Sequence, residues 1–145
     1  MAQLRPILLA EDSPQDVELA CAALKKNRLA NEVVVARDGA EALDYLYRRG
    51  SFAARDPGHP SVVFLDLKMP KVDGLEVLRQ MKSDESLKMI PVVMLTSSRE
   101  ESDLVKSYKL GVNAYVVKPV DFQNFVDAVQ QTGRFWAVIN ELPPI

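Results

Sequence analysis

Five short apolar runs recur along the chain, at residues 7–10, 33–36, 62–65, 92–95 and 114–117. They are rich in Val and Ile, and their apolar residues are nearly continuous instead of alternating with polar ones. Strands that are covered on both faces have this composition. The pattern therefore predicts five buried β-strands.

The segments between and after these strands have the spacing of amphipathic helices. They begin near Pro14, Gly39, Asp73, Arg99 and Asp121, and their apolar residues recur every three or four positions. A strand followed by a helix, repeated five times, implies a parallel sheet with right-handed crossovers and helices on both faces. We therefore expect a doubly wound α/β fold whose single five-stranded sheet has the flavodoxin-like order 2-1-3-4-5.

Length and charge restrict the classes of function. The chain has 145 residues, of which 48% are hydrophobic, and this suits one globular domain. A formal net charge of −2 without a basic block argues against a nucleic-acid partner. No apolar run is long enough to cross a bilayer, and no signal-peptide pattern is visible. We expect a cytoplasmic protein without a membrane partner.

Two segments interrupt the alternation of strands and helices. Residues 50–60, GSFAARDPGHP, predict an extended surface loop in which His59 is solvated, because no second histidine is available to share a metal. Residues 132–145 continue past the last helix and contain Phe135 and Trp136, which need cover. We expect residues 1–131 to form the domain and 132–145 to pack on it or on a dimer partner.

Cys21, on an apolar helical stripe, is predicted to be a small core residue.

The first, third, fourth and fifth predicted strands end in polar side chains that could take part in chemistry. The first strand runs into Glu11 and Asp12, the third into Asp66, the fourth into Thr96 and the fifth into Lys118. Ligands of open parallel sheets bind beyond the carboxyl ends of the strands, where the strand order reverses, here between the first and third strands. We therefore expect these side chains to converge on one rim.

This set of side chains favours phosphoryl chemistry. Three carboxylates within about 5 Å of one another would repel by roughly 3 kcal/mol per pair at an effective dielectric near 20, so a cation is needed. An all-oxygen site suits Mg²⁺. With the cation in place, Asp66 can act as a nucleophile, while Lys118 and Thr96 neutralise the oxygens of an incoming phosphoryl group.

The acids at the ends of the first and third strands have ordinary structural interpretations when taken alone. An aspartate that closes a strand, such as Asp66, is usually a turn former or a helix cap. Residues 11–14 could simply begin a helix, with Ser13 as N-cap and Pro14 as the first helical residue. The coincidence of four polar strand ends favours a functional site.

Four segments, LLAEDSP, VVFLDLKMPKVDG, VVMLTSS and VVKPV, resemble the receiver domains of two-component response regulators, and the resemblance extends from about Pro6 to Gln131. Such domains are phosphoacceptor signalling proteins, not classical enzymes. The resemblance implies that Asp66 accepts the phosphoryl group of a kinase histidine and that Thr96 and Lys118 contact it. It also implies a Mg²⁺ site made of Glu11, Asp12, Asp66 and the backbone carbonyl of Lys68.

The resemblance extends to the switch and to the partners. Tyr115 occupies the position of a switching aromatic residue, which implies that it turns inward when Thr96 moves toward the phosphoryl group. The surface of the fourth helix, fifth strand and fifth helix would then be read by other proteins. The 50–60 loop and the FWAVINELPP tail resemble those of single-domain regulators encoded with bacterial phytochromes. This implies a sensor histidine kinase of phytochrome type as partner, and a homodimer through that surface and the tail.

Three other functions can be weighed against the phosphoacceptor. A flavin-binding electron carrier needs a phosphate cradle after the first strand, where EDSPQD would repel phosphate. A Mg²⁺-dependent phosphohydrolase usually has a second acid two residues after the nucleophile, and Lys68 stands there instead. A receiver-fold scaffold that works without phosphorylation remains open, because only metal-dependent phosphorylation distinguishes it.

Overall fold

The computed structural model describes residues 5–26, 32–96, 109–112 and 114–118, together with Gln123 and Asp127. Its elements are β1 (Ile7–Ala10), α1 (Pro14–Lys26), β2 (Val33–Ala36), α2 (Gly39–Tyr47), a 3-10 turn (Gly50–Phe52), β3 (Val62–Asp66), α3 (Gly74–Ser83), β4 (Val92–Thr96) and β5 (Ala114–Val117). The five predicted strands are confirmed, with β3 and β4 one residue longer than expected. The predicted fourth and fifth helices lie outside the described residues, apart from the helical residues Lys109, Gln123 and Asp127, and so does the extension at 132–145.

All five strands run parallel in the order β2-β1-β3-β4-β5, which confirms the predicted fold class. The order reverses between β1 and β3. At the carboxyl ends of these two strands, Ala10 is paired with Leu65. The next residues along the two strands are Glu11 and Asp66, so the pairing alone brings these two acids side by side.

The core forms two layers, one on each face of the sheet. Ile7 and Leu9 of β1 point into the cluster that contains Ala20 of α1, whereas Leu8 and Ala10 point into the larger cluster on the opposite face. Because every second residue serves one face and both faces are covered, both sets must be apolar. Cys21 is half-buried at the edge of the smaller cluster, which agrees with its predicted role as a core residue.

Two aspartates begin the helices that follow β2 and β3. The side chain of Asp38 accepts a hydrogen bond from the Glu41 N–H at 2.8 Å, and that of Asp73 accepts one from the Glu76 N–H at 2.9 Å. These are N-caps, which satisfy amide groups that the first helical turn leaves without a partner.

Within the described part of the chain, no helix has both the length and the apolar character needed to cross a membrane.

The segment between α2 and β3 lies mostly at the surface, as predicted, but it is compact and not extended. The Arg55 guanidinium donates hydrogen bonds to the carbonyls of Tyr45, Asp56 and Gly58 at 2.7, 2.8 and 2.9 Å. It also lies 4.1 Å from the centre of the Tyr45 ring. The loop therefore folds around one side chain. His59 is half-buried with its Nδ1 shielded, not fully solvated as expected.

Replacing Arg55 with Ala is expected to lower the free energy of unfolding by about 2 kcal/mol, because three backbone carbonyls lose a charged donor and a cation–π contact is lost. Urea unfolding measures the change. Arg49→Ala is the matched control: its guanidinium lies 5.0 Å from the Tyr47 ring and pairs with Asp44, but both partners of that ion pair are exposed. Arg49→Ala should lower the free energy of unfolding by less than about 1 kcal/mol. Equal losses for the two variants would contradict the role of Arg55.

Candidate functional site

The site lies at the carboxyl ends of β1 and β3. Glu11 follows β1 and is fully buried, and its N–H donates to the Ala36 carbonyl at 2.9 Å. Asp66 is the last residue of β3 and is 5% exposed, while Asp12 lies exposed at the rim. One carboxylate oxygen from each of Glu11, Asp12 and Asp66 falls within 4.8 Å of the other two. The structure thus brings together the three acids selected from the sequence.

Lys118, which follows β5, extends its ammonium group into this cluster. Its Nζ lies 2.5 Å from Glu11 Oε1, 3.0 Å from Asp16 Oδ2 and 3.3 Å from Asp66 Oδ1. Burial lowers the pKa of Lys118, but the carboxylates of Glu11, Asp16 and Asp66 outweigh it and raise that pKa above its usual value. Lys118 is therefore a fixed positive charge. Sequence reasoning missed Asp16, because an acid in the first turn of a helix is common for local reasons alone.

The cluster needs more positive charge than Lys118 supplies. Burial, and then the neighbouring Glu11 carboxylate, raise the pKa of Asp66 to about 7, although Lys118 acts in the opposite direction. Glu11 Oε1 is buried and is paired with the Lys118 ammonium, which also serves Asp66. Three convergent acids with one ammonium beside them form a donor set that fits a hard divalent cation such as Mg²⁺.

The raised pKa of Asp66 makes stability depend on pH. Between about pH 4 and pH 7, the folded metal-free protein keeps a proton on Asp66 that the unfolded chain has released, so the free energy of unfolding falls as pH rises through this window. Asp66→Asn removes the effect. We expect the melting temperature of the wild type, relative to that of Asp66→Asn, to be lower at pH 8 than at pH 5. Thermal unfolding in metal-free buffer measures this difference, and a difference that does not vary with pH would contradict the assignment.

The other residues selected from the sequence lie at the same edge or next to it. Thr96 ends β4 and is 1% exposed, and its carbonyl accepts a hydrogen bond from the Lys118 N–H at 2.8 Å. Tyr115 is half-buried on β5 against the larger core cluster. Lys68 is exposed in the loop after β3. Its carbonyl as a metal ligand, and the switching roles of Thr96 and Tyr115, stay predictions.

Two glycines that sequence reasoning missed shape the loop after β3. The N–H of Gly74 donates to the Leu67 carbonyl at 2.9 Å, and a Cβ atom on Gly74 would lie 2.2 Å from the Asp66 carbonyl oxygen. At Gly39, a Cβ atom would lie 1.8 Å from the Val72 carbonyl oxygen. Glycine at the first position of a helix, directly after a loop, is the signal for such a close approach. At both positions the backbones lie too close together for a side chain to fit between them.

Residues 7–130 match a known protein family, described as the response regulator receiver domain. The chain belongs to this family. The match covers every strand and every acid of the site, together with Lys118. The expected relationship to receiver domains, which are signalling proteins and not classical enzymes, is thereby confirmed.

Among solved structures, the bacteriophytochrome response regulator AtBRR is 65% identical to this receiver domain, with a TM-score of 0.88; the alignment covers 97% of this chain and all of that one. Response regulator Rcp1 of Synechocystis sp. is 39% identical over 137 residues, which are 94% of this chain and 92% of that protein. A solved structure of Rcp1 is the Mn²⁺-bound form, and its TM-score is 0.76 at 37% identity, with 97% of this chain and 99% of that one covered.

A third relative is the cyanobacterial phytochrome response regulator RcpA, solved in its phosphorylated state. It is 39% identical to this receiver domain with a TM-score of 0.78, and the alignment covers 98% of this chain and all of RcpA. This receiver domain is thus homologous to regulators associated with phytochromes, which confirms the resemblance seen in its loop and motifs.

Proposed function

We propose that this receiver domain accepts a phosphoryl group on Asp66 from a sensor histidine kinase in a Mg²⁺-dependent reaction. One observation carries the proposal: Glu11, Asp12 and Asp66 place carboxylate oxygens within 4.8 Å of one another, and Lys118 lies against two of them. Two buried acids at a strand end are costly to stability unless a ligand uses them. A relative solved with Mn²⁺ and another solved in a phosphorylated state support the same function.

The proposed metal site uses oxygen ligands only. Glu11, Asp12 and Asp66 would hold Mg²⁺, with the Lys68 backbone carbonyl as a further ligand. Its chemical contribution when bound is to neutralise charge on the carboxylates and on the phosphoryl oxygens. Asp66 then stays ionised at neutral pH, which a nucleophile requires.

The chain's own residues carry out the transfer. An Asp66 carboxylate oxygen forms a bond to phosphorus, while the bond between phosphorus and the kinase imidazole nitrogen breaks and its electron pair stays on that nitrogen. Lys118 provides a fixed positive charge beside Asp66 for the phosphoryl oxygens. The Thr96 hydroxyl, at the end of the neighbouring strand β4, donates to another of these oxygens. Preorganised donors of this kind stabilise charge as it develops in the transition state.

The readout would follow from the same groups. Movement of Thr96 toward the phosphoryl group would open space into which Tyr115 turns. This would shift the surface around β5 between two conformations. A phytochrome histidine kinase is the proposed partner, supported by the similarity to AtBRR and RcpA. Homodimerisation through the fourth helix, β5, the fifth helix and the tail is also part of the proposal. Most of that surface lies outside the described residues.

Intact-mass measurement after incubation with acetyl phosphate tests the proposed function. We expect a single phosphoryl adduct when Mg²⁺ is present and none when the metal is removed with a chelator. An adduct that forms equally without divalent cations would contradict the metal site. No adduct under any condition would favour the alternative, a receiver-fold scaffold that works without phosphorylation.

A further inference from the structure

Lys118 has a third partner that lies outside the group of proposed metal ligands. An ammonium group has three N–H donors, and the Lys118 Nζ lies within 3.3 Å of three carboxylates. Two of them, Glu11 and Asp66, belong to the acidic cluster. The third, Asp16, comes from α1, 102 positions earlier in the chain, and its contact of 3.0 Å has hydrogen-bond geometry.

Asp16 makes this contact instead of completing a helix cap. The sequence SPQD at the start of α1 has the form of a capping box, in which the acid at the third helical position accepts a hydrogen bond from the N-cap N–H. Half of that pattern is present, since the Asp16 N–H donates to Ser13 Oγ at 3.3 Å. The other half is replaced: the Ser13 N–H donates to Glu11 Oε2 at 3.2 Å. The Asp16 carboxylate is therefore available to Lys118.

The ammonium of Lys118 and a metal ion would compete for the same two carboxyl groups. Glu11 and Asp66 contact Lys118 directly, and both belong to the proposed metal site. When their oxygens turn to the metal, Lys118 loses two of its three partners. Asp16 lies outside the acidic cluster, so it can keep the ammonium without giving up a metal ligand.

We propose that Asp16 is a positioning residue, the anchor that keeps Lys118 beside Asp66 while Glu11 and Asp66 bind the metal. This inference rests on the proposed Mg²⁺-dependent function and assigns to it a further residue. Without Asp16, the partners of Lys118 among the described residues are Glu11 and Asp66, and the ammonium opposes metal binding there. Asp16→Asn should therefore weaken Mg²⁺ binding by about fivefold, the size expected for coupled neighbouring charges.

Calorimetric titration of the full chain with Mg²⁺ tests the anchor. Glu18→Gln is the matched control, because it removes the same charge from an exposed position on the same helix, and it should bind Mg²⁺ like the wild type. The decisive comparison is a double-mutant cycle with Lys118→Ala. If Asp16 acts through Lys118, Asp16→Asn should change the affinity by less than about twofold once Lys118 is absent. Equal effects in both backgrounds, or no effect in either, would overturn the inference.

A measurement without metal separates this inference from the proposed function. We expect the ¹⁵N signal of the Lys118 ammonium to show slow hydrogen exchange in the wild type and in Glu18→Gln, and much faster exchange in Asp16→Asn. Unchanged exchange in Asp16→Asn would overturn the anchor even if the protein binds Mg²⁺ and is phosphorylated. A wild type that shows the slow ammonium signal but binds no Mg²⁺ would overturn the proposed function and the role of Asp16 in metal binding, and would leave Asp16 only as the partner of Lys118.

Discussion

Asp66→Asn is expected to abolish the phosphoryl adduct of this receiver domain while leaving it folded. The amide has nearly the shape of the carboxyl group but lacks the nucleophilic oxygen, and among the described strands only β3 ends in an acid. It also removes a buried charge beside Glu11, so the metal-free variant should be at least as stable as the wild type at neutral pH. Intact mass with acetyl phosphate and Mg²⁺, together with thermal unfolding, measures both expectations.

Asp73→Asn is the control for this substitution. Asp73 is an exposed acid in the loop after β3, where its side chain caps α3. Asn caps helices about as well as Asp. The control should be phosphorylated like the wild type and should unfold at a similar temperature. An adduct that persists in Asp66→Asn would assign the phosphoacceptor to another residue.

Gly74→Ala is expected to cost at least about 3 kcal/mol of the free energy of unfolding, because the new methyl group would meet backbone atoms that cannot move aside. The Cβ atom would lie 2.2 Å from the carbonyl oxygen of Asp66 and 2.9 Å from the Cα atom of Leu67. Any relaxation must shift the strand end that carries Asp66. Urea unfolding measures the loss, and the folded fraction should accept a phosphoryl group more slowly than the wild type.

Gly50→Ala separates the cost of this clash from the general cost of replacing a glycine. Gly50 has a φ of +59°, where an L-residue is strained by about 1 kcal/mol. The nearest atom to its Cβ position, at 2.9 Å, is a side-chain oxygen of Asp44, which can rotate away. Gly50→Ala should therefore lower the free energy of unfolding by about 1 kcal/mol. If Gly74→Ala lowers it no more than Gly50→Ala does, the loop after β3 can move aside and the expectation for Gly74 is wrong.

The electrostatics of the site explain why it would respond to a cation and to a phosphoryl group. Glu11 and Asp66 are buried with Lys118 as their shared partner, and the pKa of Asp66 is raised even so. The metal-free pocket thus has an excess of negative charge that the fold tolerates at a cost. Under the proposed function, binding a divalent cation would remove this cost, and a phosphoryl group on Asp66 would change what Lys118 contacts. Ligand binding would then be coupled to the position of one lysine.

The sequence by itself determined the strands, their order and the residues at their ends. A buried strand is recognised from a few consecutive positions. A short, nearly continuous apolar run such as residues 62–65 therefore identifies it directly. The repeated strand and helix pattern restricts the topology to a few choices. Once the order is known, Glu11 and Asp66 must emerge side by side, because they follow paired residues of adjacent parallel strands.

Only the tertiary structure decided which side chains meet across long distances in the chain. The local sequence around Asp16 favours a helix cap, and its contact with Lys118 depends on where α1 packs relative to the end of β5. Arg55 binds the carbonyl of Tyr45 ten positions away because the loop closes around it, although its Pro and Gly content suggested an open loop. The absence of a Cβ atom at Gly74 matters only because the Asp66 carbonyl lies against it. Local patterns determine secondary structure, but side-chain contacts of this kind depend on packing geometry that no short window of sequence contains.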